Sequence, residues 1–274
     1  MPIDGVRCWA ALALAVPLVG AATAGEIDLA SHRAVYDLSL TGAGEPSGFA
    51  PIVGRLVVEM VGSRCAGYTS TTRFVTQAET DDGERLVTDA RSRTFETVDG
   101  FFEFEYENFE NDRIVERTSG TARRGPRGIA VELSKPATRK FVIDPDAVLP
   151  SEQMIRTIRA ARTGERFLAL DVYDGQDGGE TVYATATVIG SAAIDAKGEV
   201  APSIDEPRFA GLTRWPLTIS YFPKDGRTDD RPTYVVSIVT YENGVANGIN
   251  IDYGDFGFTG ALSQLEMLAP EPCP

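Results

Sequence analysis

The chain has 274 residues, 43% of them hydrophobic and 24% charged, and no block of like charge is long enough to suggest a disordered tail. Its net charge of −14 argues against nucleic acid as a partner, because gripping phosphates demands a basic surface. One histidine and three cysteines leave little material for imidazole or thiolate catalysis, and zinc would lack its usual ligands.

Residues 1–24 have the layout of a cleavable secretory signal: Arg7 near the start, an apolar run from Cys8 to Gly20, then small residues ending in Ala22-Thr23-Ala24. That run is shorter than the ~20 residues a spanning helix needs, and no later segment is long enough and free of charge, so no stable membrane insertion is expected. Cys8 precedes the apolar run and leaves with the leader, so no lipid anchor follows. Residues 25–274 are expected to form one exported domain in an oxidising compartment. Its two cysteines, Cys65 and Cys273, read most simply as one disulfide. Two free thiols, an intermolecular bridge and a nucleophilic cysteine are the alternatives. Closing so long a loop contributes roughly 5 kcal/mol in the chain-entropy model.

Along the mature chain, short segments of alternating polarity end at Gly, Asp, Asn or Pro about every eight to twelve residues. Strands are predicted over His32–Leu40, Gly54–Val61, Tyr68–Gln77, Arg85–Arg91 and Arg93–Val98. In the next segment Phe102, Phe104 and Tyr106 share one face and Glu103, Glu105 and Glu107 the other. Asp99-Gly100 supplies the positive φ angles of a tight hairpin turn. Further strands follow over Arg113–Thr118, Gly128–Leu133 and Thr138–Ile143. The only convincing helix runs from Ser151, as N-cap after Pro150, to Thr163, with Gly164 as its stop. Met154, Ile155, Ile158 and Ala161 form its apolar stripe, and a helix so placed suggests a plug or lid on a curved sheet.

Strands resume over Arg166–Tyr173, Thr181–Ile189, Leu217–Phe222, Thr233–Glu242, Gly248–Tyr253 and Phe258–Leu268, punctuated by Asp174-Gly175, Asp225-Gly226, Asn243-Gly244 and Asn247-Gly248. Residues 190–212 read as a long surface loop. The fold class is therefore all-β with one main helix: roughly fourteen antiparallel strands in a meander. Twist of about 20 to 25° between neighbours forces such a sheet to curl into a barrel, half-barrel or sandwich. Curling into a barrel or half-barrel is the favoured outcome.

His32 is expected as a sheet-end or exposed histidine rather than a catalytic base. Glu103, Glu105 and Glu107, about 7 Å apart along one strand face, offer the paired carboxylates of a glycan hydrolase, against the plainer reading of a solvated face. Asp174, Asp177 and Glu180 crowd one turn, but their spacing departs from a calcium loop; no metal and no cofactor is implied. From Arg113 to Arg166 there are 12 Lys and Arg against 6 Asp and Glu, either a face for anionic lipid or polymer or basic strands paired with acidic ones. The remaining possibility is binding. A concavity lined by Phe102, Phe104 and Tyr106, faced by Met154 and Ile158 of the helix, would receive an apolar ligand, and the same residues would equally fill a dry core.

Several segments read together: His32-Arg33-Ala34-Val35-Tyr36 opening the mature fold, Leu149-Pro150-Ser151-Glu152 starting the helix, Asp171-Val172-Tyr173-Asp174-Gly175, Tyr253-Gly254-Asp255-Phe256, and the terminal Cys273. In order and spacing they resemble the EipB-like family of alphaproteobacterial periplasmic proteins linked to cell-envelope integrity. The resemblance implies an open β-spiral or unclosed barrel with a helical plug, a disulfide between Cys65 and Cys273, and a periplasmic location. It brings no enzymatic activity and no catalytic residue. It leaves the biochemical activity undefined, and two expectations stay open: a non-enzymatic envelope-integrity factor that binds an acyl chain, a lipoprotein or another periplasmic protein, in line with a shape similar to periplasmic lipoprotein and lipid carriers, or a carboxylate-based hydrolase of envelope glycan.

Overall fold

The structure, a computed structural model, describes residues 25–41, 52–79, 83–194, 209, 211–224 and 231–273. The predicted leader and most of the 190–212 loop, like Asp225-Gly226, lie outside them. Among the described residues, fifteen strands form one antiparallel sheet that does not close. The first eight are β1 (His32–Thr41), β2 (Val53–Ser63), β3 (Gly67–Glu79), β4 (Arg85–Glu96), β5 (Phe101–Glu110), β6 (Arg113–Gly125), β7 (Gly128–Lys135) and β8 (Arg139–Ile143). Helix α1 (Pro150–Arg162) follows. The chain then forms β9 (Phe167–Val172), β10 (Tyr183–Ile189), the short β11 (Ala193–Ile194), β12 (Thr213–Pro223), β13 (Tyr234–Tyr241), β14 (Ala246–Asp252) and β15 (Gly257–Met267).

Two meanders, β1 to β8 and β9 to β15, are joined where β1 pairs with β15, so the first and last strands lie side by side in mid-sheet. β8 and β9 are the two ends of the ladder and do not pair with each other; β11 pairs with β12 off the main path. The sheet winds past itself instead. The connection from β8 to α1 lays Val148 along β9, its N–H donating to the Asp171 carbonyl at 2.7 Å and its carbonyl accepting the Tyr173 N–H at 2.9 Å. The β9–β10 loop is thereby carried over the inner face of β5 to β7.

Some strand boundaries differ from the sequence reading for local reasons. Arg85–Arg91 and Arg93–Val98 are one strand, because Ser92 continues the ladder opposite Thr72 and Tyr106. Asn247-Gly248 sits inside β14, at a bulge between Ile238 and Thr240 of β13, where Gly248 takes φ +83°. The turn itself is at Asn243-Gly244. Ser151 is not the N-cap; Leu149 holds that place with extended backbone and Pro150 is the first helical residue, a position where a missing N–H goes unnoticed.

The helix also buries a different face from its apolar stripe. Ile158 and Ala161 are buried as expected, but so are Gln153 and Thr157, while Met154 and Ile155 are only partly covered. Thr157 satisfies its hydroxyl by donating to the Gln153 carbonyl at 2.8 Å. Ile158 and Ala161 pack with Ile27, Leu29, Tyr68, Trp215 and Leu217, so the helix closes one end of the barrel against the 25–31 segment. His32 is sheet-end, as expected, but buried rather than exposed. Its Nδ1 lies 2.7 Å from the Ala30 carbonyl, and burial pushes its pKa down. Of the 190–212 loop, Phe209 is buried against Tyr241, ring centroids 5.0 Å apart.

Candidate functional site: an arginine-lined cleft beside the helix

The expected apolar concavity is occupied by the protein itself. Phe102 and Phe104 project inward from β5 and are fully buried with Ile129, Val131, Leu133 and Tyr173. Tyr173, from the β9–β10 loop, sets its ring edge-on to both phenylalanines, with centroids 6.4 and 5.9 Å away. Gly175 follows at φ +77°, and a Cβ there would lie 2.5 Å from the Phe104 ring, so the loop presses bare backbone onto it. Tyr106 donates its hydroxyl to the Asp174 carbonyl at 2.7 Å, and Tyr173 to the Gly179 carbonyl at 2.8 Å. Of the predicted ligand-lining residues, Phe102, Phe104 and Tyr106 therefore meet a loop. Ile158 belongs to a separate cluster, with Met154 at its margin.

The carboxylates singled out in the sequence disperse. Glu103 and Glu105 face outward from β5 and border a mostly polar depression of about 310 Å³ with Arg93, Ser119 and Thr121; Glu107 pairs with Arg117. Such a wet setting does not supply the dry pocket that a general acid of glycan hydrolysis requires. Asp174 is buried and accepts the backbone and side-chain N–H groups of Gln176 at 3.0 and 2.9 Å; burial raises its pKa to about 6. Asp177 accepts the Tyr183 hydroxyl and Glu180 pairs with Arg139, so these three acids have separate partners. Among the described residues no group of three or more His, Cys, Asp or Glu is placed to hold a metal ion.

A different site stands open at the helix-capped end. A cleft of about 270 Å³ lies between α1, the β2–β3 turn, β3, the β4–β5 turn and β6. Glu96, the last residue of β4, forms part of its floor and receives the Ser151 N–H at 2.7 Å and the Glu152 N–H at 3.0 Å. This carboxylate caps the helix in place of a local side chain, satisfying two amides that the helix leaves without internal partners. Burial raises the pKa of Glu96 to about 7 against the opposing pull of those two amides.

Four arginines surround the floor: Arg64, Arg124, Arg156 and Arg159. Arg124 is structural, donating to the carbonyls of Pro145 at 2.7 Å and Ala147 at 3.1 Å and to Glu152 at 2.7 Å, which fixes the connection into the helix. Arg156 reaches the same Glu152 one turn earlier, at 2.5 Å. Arg64 pairs with Glu26. The Arg159 guanidinium makes no ion pair with a described residue. Ile155, Leu149, Tyr68 and Val98 supply the apolar part of the lining. Half of the twelve basic residues between Arg113 and Arg166 pair with acids, among them Arg117, Arg139, Lys140 and Arg162, and three of the twelve, Arg124, Arg156 and Arg159, converge on this cleft.

Beside the cleft, Cys65 in the β2–β3 turn is bonded to Cys273 in the tail after β15, with Cα atoms 5.3 Å apart. The bridge is intramolecular, and it anchors the neighbour of Arg64. No helix among the described residues is long and apolar enough to cross a membrane.

Known proteins resemble this chain over nearly its whole length. Residues 23–269 match the EipB-like family. The cell envelope integrity protein EipB of Brucella abortus (strain 2308) is 34% identical over 267 residues, covering 96% of this chain and 91% of that protein. A crystal structure of a beta-barrel-like protein of a domain of unknown function, also from Brucella abortus, superposes with a TM-score of 0.80. It is 33% identical and spans 89% of this chain and 100% of its own.

Proposed function

The chain belongs to the EipB-like family, and from that membership we propose that it maintains the cell envelope from the periplasm as a non-enzymatic binding factor, working through the cleft beside α1. The observation that carries this reading is the 34% identity, across 96% of the chain, to a protein named for cell-envelope integrity. A disulfide that ties the β2–β3 turn to the tail supports export to an oxidising compartment, and residues 1–24 have the layout of the signal that would take it there.

The partner would be a lipid, a lipoprotein or another periplasmic protein. Because the Tyr173–Gly179 loop already covers the inner wall of β5, the partner would engage the helix-capped end, where charged side chains remain accessible. The test is genetic complementation. A strain lacking the gene should become sensitive to detergent and recover with the wild-type copy. A copy carrying Arg156→Gln and Arg159→Gln should accumulate in the periplasm, stay folded and fail to restore resistance. Full restoration would remove the cleft from the function, and resistance unchanged by the deletion would remove the envelope role.

A further inference from the structure

We propose that the cleft beside α1 binds a phosphate group carried on an apolar stem, held between Arg64, Arg156 and Arg159. This rests on the binding role proposed above and names the chemical class of the ligand.

The charge count inside the cleft is the first argument. Glu152 is shared by two guanidinium groups, Arg124 and Arg156, and Arg159 makes no ion pair with a described residue. Glu96 also borders the cleft, but its two oxygens are occupied by helix amides. The surplus is positive and local, in a chain whose net charge is −14, so it is not a by-product of a generally basic surface. At physiological salt, charges more than about 8 Å apart on the surface are largely screened, so a ligand in the cleft feels the arginines rather than the distant acids.

Geometry is the second. Arg156 and Arg159 stand three residues apart and therefore side by side on one helix face. Arg64 approaches from the β2–β3 turn, which the adjacent Cys65–Cys273 bridge holds in place. Its partner Glu26 has a side chain 78% exposed, and an exposed pair of this kind is worth so little that an incoming anion displaces it readily. With Arg124 the cleft gathers four guanidinium groups against the carboxylates of Glu26, Glu96 and Glu152, and Arg159 is left to an incoming phosphate, which offers several acceptor oxygens and up to two charges. The apolar lining decides the rest. Ile155 and Val98, the latter 82% exposed, border the same cleft and would be covered by the stem of a phospholipid or similar amphiphile but not by a free ion.

The experiment uses residues 25–274 with the disulfide intact. Sedimentation with phosphatidylcholine vesicles, with and without phosphatidylglycerol, reads the lipid-borne phosphate; calorimetric titration and competition with inorganic phosphate read the free group. Arg156→Gln/Arg159→Gln is compared with Arg139→Gln/Lys140→Gln on β8, which removes the same charge elsewhere. The cleft variant should bind phosphatidylglycerol vesicles about tenfold or more weakly while the β8 variant binds as wild type. Competition by inorganic phosphate would identify the phosphate itself as the recognised group; binding to vesicles without such competition would identify the lipid headgroup.

Equal losses in both variants, or no binding of wild type to either probe, would overturn the proposal. Should neither probe bind while the cleft variant still fails to restore detergent resistance, the phosphate reading alone falls and the binding role stands.

Discussion

The inner wall of β5 to β7 and the end closed by α1 both present large side chains on a curved surface, and they meet opposite fates. On the wall, Phe102 and Phe104 are sealed by the Tyr173–Gly179 loop. An apolar concavity needs only shape and area from its occupant, and a tethered loop supplies both without the entropy loss of capturing a free ligand. At the helix end the occupied positions are polar: Glu96 caps α1, Arg124 ties down the segment before it, and the remaining guanidinium groups outnumber the acids beside them. Charge, unlike area, is balanced only by countercharge. An interior can be filled by its own chain, whereas an excess of arginine is neutralised only by a group that carries negative charge.

The sharpest way to break this contrast is at the wall. Phe104→Ala should destabilise the protein by about 4 kcal/mol, because it leaves a cavity under Tyr173 and Gly175 that bare backbone cannot refill. Urea unfolding reads the loss, and the fraction still folded should bind phosphatidylglycerol vesicles as wild type does. If Phe104→Ala were instead stable and defective in binding, the wall would be the site.

The next effect couples the two regions through the bridge. Cys65→Ser with Cys273→Ser should lower stability by about 3 kcal/mol, below the chain-entropy figure as measured bridges usually are. Chemical denaturation checks the stability, and thiol titration of unreduced wild type, expected to find no free cysteine in the mature chain, checks the premise.

A smaller and pH-dependent effect belongs to Glu96. Its pKa rises from 4.5 to about 7 on folding, so between those values the folded chain holds a proton that the unfolded chain has released. This contribution therefore makes stability fall as pH climbs through that window, by on the order of 3 kcal/mol in total. Glu96→Gln should flatten the profile between pH 5 and 8 while retaining an acceptor for one helix amide, leaving the slope of Asp174, raised to about 6, and the opposing slope of His32, whose pKa burial lowers. A slope unchanged in Glu96→Gln would place the proton elsewhere. Smallest of all, Arg156→Gln/Arg159→Gln should alter unfolding by less than about 0.5 kcal/mol, since both side chains are exposed. A larger loss would mean that the surplus charge is structural.

What the sequence made legible is what depends on neighbours along the chain. The alternation of Phe102, Phe104 and Tyr106 with Glu103, Glu105 and Glu107 marked inner and outer faces, Asp99-Gly100 marked a turn that forms, and Gly164 followed the helix it ends, with φ +83°. The cap on α1 was hidden because Glu96 reaches Ser151 across 55 residues, so Ser151 looked like the local cap it is not. The filling of the β5 wall was hidden for the same reason. Asp174-Gly175 reads as an ordinary turn until winding of the sheet sets Gly175 on Phe104. The helix stripe misled because hydrophobicity alone ranks Met154 above Gln153 and Thr157, while the amide and hydroxyl can be buried in a polar neighbourhood. The arginines of the cleft come from three separate stretches, and nothing in their spacing announces that they converge.

The junction of β1 with β15 has a kinetic corollary. Each meander can zip from its own hairpins, but their union requires residues more than two hundred positions apart to find one another, the slowest kind of encounter in folding. That union should come last, with amides of β1 and β15 gaining protection from exchange after those of β4 to β6 during refolding. Sulfur chemistry at Cys65 and Cys273 lies at the same place, so oxidation after export would act as a latch on a finished structure rather than as a guide to making it. Pulse-labelled exchange on the reduced and the oxidised chain would show the same order in both, differing only in how long the seam stays shut.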